Sequence, residues 1–256
     1  MNAQKRHGFT IIEVMLFLAV TGALTVGILV GSGATIGRQR YRDSVNTFKG
    51  VIQEQYSQVA NVVNSEPQNP NCVPANPTLL MDGDTLRDRG TSDCLVMGRF
   101  LLVQPTVVTS YNLVGQLDPT FENQDIEGGD TAVLSHYFMT VQSPEQHQVS
   151  WGARIVRPET TNGMTAGILV VRSPISGSIL TYSQDIEDGI DADDYGRLST
   201  IMQEMIQADS SPQKDFCVDS DGGLLARARR QAVRIKARAA NQSAIEIPLE
   251  SEGVCD

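Results

Sequence analysis

The most unusual chemical feature of the sequence is a single carboxylate inside a long apolar segment. Between Phe9 and Gly37 the only charged residue is Glu13. As a helix this segment would rise roughly 44 Å, which exceeds the ~30 Å hydrocarbon core of a bilayer. A lone charge within such a span costs about 2.5–3.5 kcal/mol on insertion scales, so Glu13 is predicted to need a cationic partner.

The stretch that precedes the apolar segment is short and polar, and it includes Lys5 and Arg6. A secretory signal would have a shorter apolar region, with its cleavage site after that region. The two basic residues place Met1 on the cytoplasmic side and the bulk of the chain outside. This charge bias is ambiguous, because three basic residues follow the span: Arg38, Arg40 and Arg42.

Residues 8–14 have the sequence GFTIIEV, directly after the basic leader. This motif resembles the processing site of the type IV pilin and type II secretion pseudopilin superfamily. The resemblance implies that a prepilin peptidase cuts between Gly8 and Phe9 and methylates the new amine of Phe9. It also implies that Glu13 serves assembly, as the fifth residue of the processed chain.

The physical chemistry of a filament is compatible with that implied role. Cleavage would create a positive amine on Phe9, and Glu13 of a neighbouring subunit could neutralise it. A buried ion pair is tolerable where either lone charge is not, and it sets the register of one helix against the next.

The pattern after the span predicts that the helix continues from Phe9 to about Ser65. Apolar residues recur at helical spacing between Phe48 and Val63, with polar residues on the other faces. The stretch from Glu66 to Asp93 is rich in proline and asparagine and is predicted to be an irregular loop.

The remainder predicts a β-rich head with one short amphipathic helix at Arg197–Gln207 and a final hairpin, Gln231–Leu249, that turns near Asn241. Six runs, most of them rich in valine, isoleucine and leucine, predict strands: Leu95–Val103, Thr106–Val114, Ala132–Val141, Val149–Val156, Ala166–Arg172 and Ser178–Ser183. The fold class is therefore α+β, with a long N-terminal helix packed on an antiparallel sheet. The resemblance to pilins implies the same order.

The chain has four cysteines, an even number without a C-x-x-C spacing, which suits two disulfides in an extracytoplasmic compartment. The resemblance implies a C-terminal disulfide loop, Cys217–Cys255, around the final hairpin. The remaining local pair, Cys72–Cys94, is predicted to close the irregular loop.

Catalysis is not expected, because His136 and His147 lie in no nucleophile or zinc motif and no cofactor fingerprint is present. The acidic stretch from Asp185 to Asp194 is predicted to be a solvated loop. Its alternative is a calcium site, with Asp188, Asp191 and Asp193 as ligands.

A basic run near the C-terminus contrasts with the net charge of −10, which argues against general nucleic-acid binding by the whole protein. Arg234, Lys236 and Arg238 alternate and are predicted to share one strand face. Three interpretations stay open for this surface: a DNA contact, a contact with a neighbouring subunit, and charges that protect an exposed strand from aggregation.

Together with the resemblance to pilins, these observations predict a prepilin leader (residues 1–8), a transmembrane and assembly half of the helix (9–37), an amphipathic half (38–65) and a β-rich head with disulfide-bounded loops (66–256). The expected function is that of a pilin-like subunit, anchored in the cell membrane with its head outside and then assembled into an extracellular pilus for adhesion, motility or DNA uptake. The alternatives are a pseudopilin of a type II secretion system and a minor tip pilin that binds a ligand. The expected partners are the prepilin peptidase, an inner-membrane assembly platform, other pilins in a helical filament, the membrane, and DNA or a host surface.

Overall fold

The structure is a computed structural model that describes residues 10–61, 68–75, 78–88, 94–121, 127–187, 189–209, 211–220, 230–249 and 252–255. For residues 68–75 and 78–88 it describes the backbone alone, and it does not describe the side chains of residues 30 and 34.

A single helix, α1, extends from Ile11 to Ala60, about 75 Å at the usual rise per residue. Its N-cap is Thr10, whose side chain accepts a hydrogen bond from the backbone N–H of Glu13 at 3.3 Å. Together with the acidic residue three positions later, this threonine forms the sequence pattern of a capping box. The helix ends earlier than the predicted Ser65, at Ala60, where Asn61 is the C-cap.

The head contains eleven strands among the described residues. They are β1 (Gln68–Ala75), β2 (Thr78–Asp88), β3 (Leu95–Val103), β4 (Val107–Leu117), β5 (Tyr137–Gln148), β6 (Arg154–Val156), β7 (Ala166–Arg172), β8 (Ile179–Asp185), β9 (Lys214–Asp219), β10 (Arg230–Ile235) and β11 (Ile245–Glu246). Two shorter helices are α2 (Asp130–Leu134) and α3 (Tyr195–Gln207), and short 3₁₀ turns occupy Pro119–Phe121, Ser150–Gly152 and Gln242–Ala244.

The strands form two sheets rather than the single sheet that the sequence predicts. The first has the order β1-β2-β5-β4-β3-β7-β8 and the second has the order β11-β10-β9-β6. All described strand pairs are antiparallel except β2 with β5, which meet in parallel at Thr78 and Met139. The predicted α+β class, a long helix followed by antiparallel sheets, is confirmed.

The first sheet is covered on both faces, as the alternation along β3 shows. Leu101 and Val103 share a core with the second half of α1 and with both sheets, whereas Phe100 and Leu102 share a core with α3. Successive side chains of a strand point to opposite faces, so a continuous apolar run is what a strand buried on both faces requires.

Three predictions about local structure are wrong. The predicted irregular loop contains the hairpin β1–β2, because β1 lies at the edge of its sheet, where proline does not interrupt a central hydrogen-bond ladder. The predicted strand Ala132–Val141 begins in helix α2, and its strand starts only at Tyr137. The predicted strand Val149–Val156 is broken by positive φ angles at Trp151 and Gly152.

Candidate membrane-spanning and assembly segment

The first half of α1 is an apolar rod that does not pack on the head. Every large apolar side chain described between Ile11 and Ile36 is exposed, by 46% to 78%. By length and composition this helix could cross a membrane, with a mean hydropathy of 2.3 in its most apolar window, and none of that window is buried. An exposed apolar surface of this size marks contact with lipid or with another protein.

Three threonines within the apolar half bond to the helix itself, which fits an environment without water. The hydroxyls of Thr21, Thr25 and Thr35 donate to the carbonyl oxygens of Phe17, Thr21 and Gly31, four residues earlier, at 2.9, 2.8 and 3.1 Å. These polar groups therefore need no partner outside the helix.

Glu13 lies exposed in the first turn of α1. A carboxylate there interacts favourably with the positive end of the helix dipole. The sequence interpretation missed this local role, although the T-x-x-E spacing of Thr10 and Glu13 signals it. The predicted processing site, Gly8 and Phe9, lies outside the described residues, and so does the amine that would pair with Glu13.

The second half of α1 is fixed to the head by buried contacts. Phe48 packs edge-on against Phe216 with ring centroids 5.7 Å apart. The Tyr41 hydroxyl donates to the Val218 carbonyl oxygen at 3.0 Å. Apolar side chains from Val45 to Val59 complete the contact, and most of them are fully buried.

Tyr56 adds a buried polar contact to the same junction. Its hydroxyl lies 2.9 Å from the Thr181 hydroxyl, which itself donates to the carbonyl oxygen of Ala239 at 2.7 Å. Tyr56 must therefore donate, so the bond requires its neutral form. Burial raises the pKa of Tyr56 to about 12, which keeps the hydroxyl in the neutral form that donates this bond.

A buried arginine joins α1 to the first sheet. Arg99 on β3 is 8% exposed, and its Nε donates to Oε1 of the fully buried Gln55 at 2.8 Å. Its other nitrogens donate to Asn112 and to Oγ of Ser110, and Glu145 lies 3.8 Å away. Burial lowers the pKa of Arg99, and the charge of Glu145 opposes that shift. The sequence signal for this cluster was a lone arginine inside an apolar strand.

We expect the substitution Gln55→Leu to lower the free energy of unfolding by about 1.5–3 kcal/mol, the usual worth of a hydrogen bond to a charged group. The change removes the acceptor of Arg99 Nε and leaves that N–H buried. Chemical denaturation of the detergent-solubilised chain measures it. Gln58→Leu, whose bond to Glu54 is exposed, is the matched control and should change stability by less than about 0.5 kcal/mol. Equal effects of the two substitutions would contradict the proposed role of Gln55.

The C-terminal disulfide is present as predicted. Cys217 on β9 is bonded to Cys255, with Cα atoms 5.8 Å apart, in a small apolar cluster that includes Val156 and Ala232. Cys94 is also a disulfide cysteine. The predicted Cys72–Cys94 pairing stays a prediction, because the side chain of Cys72 is outside the described residues.

Carboxylates in the acidic stretch from Asp185 to Asp194 accept hydrogen bonds from the backbone of the loop and of α3. Oδ1 of Asp191 accepts the backbone N–H of Asp193 at 3.0 Å, and Asp194 caps α3 by accepting from Arg197 N–H at 3.0 Å. Asp188 is outside the described residues. Within the described part of the chain no group of three or more His, Cys, Asp or Glu residues could hold a metal ion.

The three basic residues of the C-terminal run do not form a strand face, so that prediction is wrong. Strand β10 ends at Ile235, and Arg238 has a positive φ of 53° in the turn that follows. Arg234 is bonded to Asp215 and Glu252, both at 2.7 Å, and Lys236 to Glu246 at 2.6 Å. These carboxylates neutralise the positive charge of Arg234 and Lys236, which would be needed to bind a polyanion.

Comparisons with known proteins add no relative: no family model, curated protein or solved structure matches the chain.

Proposed function

We propose that this chain is a pilin-like structural subunit. In this proposal a peptidase removes the leader before Phe9, and the first half of α1 holds the subunit in the membrane. The same half then packs with its counterparts in the core of a surface filament used in adhesion, motility or DNA uptake. The motif GFTIIEV and the division of α1 into an exposed and a packed half support it.

The observation that carries the proposal is the abrupt change in burial along one continuous helix. The large apolar side chains described up to Ile36 are exposed, whereas those from Val45 onward are buried or half-buried against the head. A helix that served only the core of the head would not extend so far beyond it. A projecting apolar half suits storage in lipid first and contact with other helices later.

Moving this half from lipid into a helix bundle gains little from the hydrophobic effect, because lipid tails are as apolar as the side chains. Close packing and the pairing of polar groups must therefore provide the specificity. Glu13 is the only charged residue of the segment, so the proposal assigns it to the Phe9 amine of a neighbouring subunit. Such a contact is head-to-tail and does not close, so repetition makes a helical fibre.

Mass spectrometry of the N-terminus tests the proposal. The chain is expressed in bacterial cells together with a prepilin peptidase. The mature protein should begin at Phe9 with a methylated amine, and the variant Gly8→Val should accumulate as full-length precursor. Ala3→Val, which alters the leader outside the motif, is the control and should be processed normally. An intact Met1 in the wild type, or a cut after the apolar segment, would refute the proposal.

A further inference from the structure

The edge of the head next to the membrane-spanning half carries a tryptophan that its surroundings do not bury. Trp151 is the only tryptophan of the chain and is 62% exposed. It lies in the turn Ser150–Gly152 with a positive φ of 61°, followed by Gly152 at 71°. A non-glycine side chain is strained in this backbone region, and here the strained residue carries an apolar ring that faces out of the head.

Trp151 lies beside α1 at the level of Arg40, and this level corresponds to the depth of lipid headgroups. The guanidinium of Arg40 lies over the tryptophan ring, 4.9 Å from its centroid. Arg40 follows Ile36, the last large exposed apolar residue of α1, by one turn, which is a rise of about 6 Å. The interfacial layer on each side of the hydrocarbon core is about 5–7 Å thick. Trp151 and Arg40 thus lie within that layer when the outer end of the apolar segment, at Ile36, is at the edge of the hydrocarbon core.

The charges at the same level complement a phospholipid surface. Arg38, Arg40 and Arg42 follow the apolar segment within five residues and are all exposed. Arg38 and Arg42 lie on one face of the helix because they are four residues apart, and Arg40 points to the other side, against Trp151. Three cations and one exposed carboxylate, Asp43, thus lie where α1 leaves the apolar segment, in a chain whose net charge is −10. Each arginine near an anionic membrane surface strengthens the attraction of the protein to that surface.

From this geometry we infer that Trp151, with Arg40 stacked on its ring, is an interfacial anchor that seats the head on the phospholipid headgroups of the membrane that α1 spans. The inference rests on the membrane-anchored stage of the proposed function. Aromatic and basic side chains are the residues that concentrate at membrane interfaces. The anchor also accounts for the three arginines on the outer side of the span, which the charge bias alone leaves ambiguous.

Tryptophan fluorescence tests the inference directly, because the wild-type signal comes from Trp151 alone. The full chain is reconstituted at low density into vesicles of phosphatidylcholine and phosphatidylglycerol, and flotation establishes that it is in the membrane. Lipids brominated near the glycerol end should quench the fluorescence roughly twofold more than lipids brominated near the methyl end, as expected for an interfacial ring. Aqueous acrylamide should quench it less in vesicles than in detergent.

Two variants provide the controls. Arg40→Gln should weaken quenching by the shallow bromines, whereas Arg197→Gln, on α3 at the far face of the first sheet, should not. In the double variant Trp151→Phe/Tyr195→Trp the reporter moves to an exposed position on α3 and should stay accessible to acrylamide.

Each result decides the inference. A chain that floats but shows no bromine quenching would overturn the interfacial anchor and leave the membrane span intact. If Trp151 became protected only in assembled filaments, its partner would be a second copy of this chain instead of lipid. A chain that does not float would refute both the anchor and the membrane stage of the proposed function.

Discussion

Replacing Glu13 with glutamine should abolish filament assembly while leaving processing and membrane insertion intact. Glutamine has nearly the same size and can serve the same position of a capping box, so the helix start at Thr10 is retained. The substitution removes only the charge. Insertion should become easier, because a charge within a span costs about 2.5–3.5 kcal/mol.

Electron microscopy and immunoblotting of filaments sheared from cells measure this effect. Thr10→Val is the matched control, because it removes the capping hydroxyl but keeps the charge of Glu13. Losing that cap should cost about 1 kcal/mol of helix stability and leave filaments present. Normal filaments in Glu13→Gln together with lost filaments in Thr10→Val would show that Glu13 acts through the helix start, and that no intersubunit ion pair is needed.

Removing the C-terminal disulfide with Cys217→Ala/Cys255→Ala should lower the free energy of unfolding by about 4 kcal/mol. The bond joins residues 38 apart, and closing a loop of that length restricts the unfolded chain by about this amount. Cys217 is fully buried and Cys255 nearly so, which adds lost packing to the loss of the bond.

Urea denaturation of the detergent-solubilised chain, followed by circular dichroism, gives the value. As a control, a reducing agent should destabilise the wild type more than it destabilises the double variant, since the variant no longer has this bond to lose. A difference below about 1 kcal/mol between variant and wild type would mean that strong contacts of β9 and β10 already hold the C-terminus in place.

The sequence by itself determined the elements whose signal is local and continuous. The apolar run and its single glutamate predicted the first half of α1, and helical periodicity predicted the second half. Strands β3 and β7 have the predicted bounds, Leu95–Val103 and Ala166–Arg172. Both are mainly apolar, apart from Arg99 in β3 and Arg172 at the end of β7, because both lie inside a sheet that is covered on its two faces. Position in the fold and composition therefore agree.

Only the tertiary structure decided features that depend on residues distant in sequence. Proline at the edge strand β1 is acceptable because one side of that strand has no neighbour in its sheet, which composition does not reveal. Arg99 is hydrogen-bonded to Gln55, which is 44 residues away in sequence, and this contact forms a buried polar cluster. Arg234 is bonded to Asp215, 19 residues away, which neutralises its charge. In the sequence both arginines look like isolated charges. The position of Trp151 beside Arg40 likewise follows from how the head meets the helix, because no local pattern couples residues so far apart in the chain.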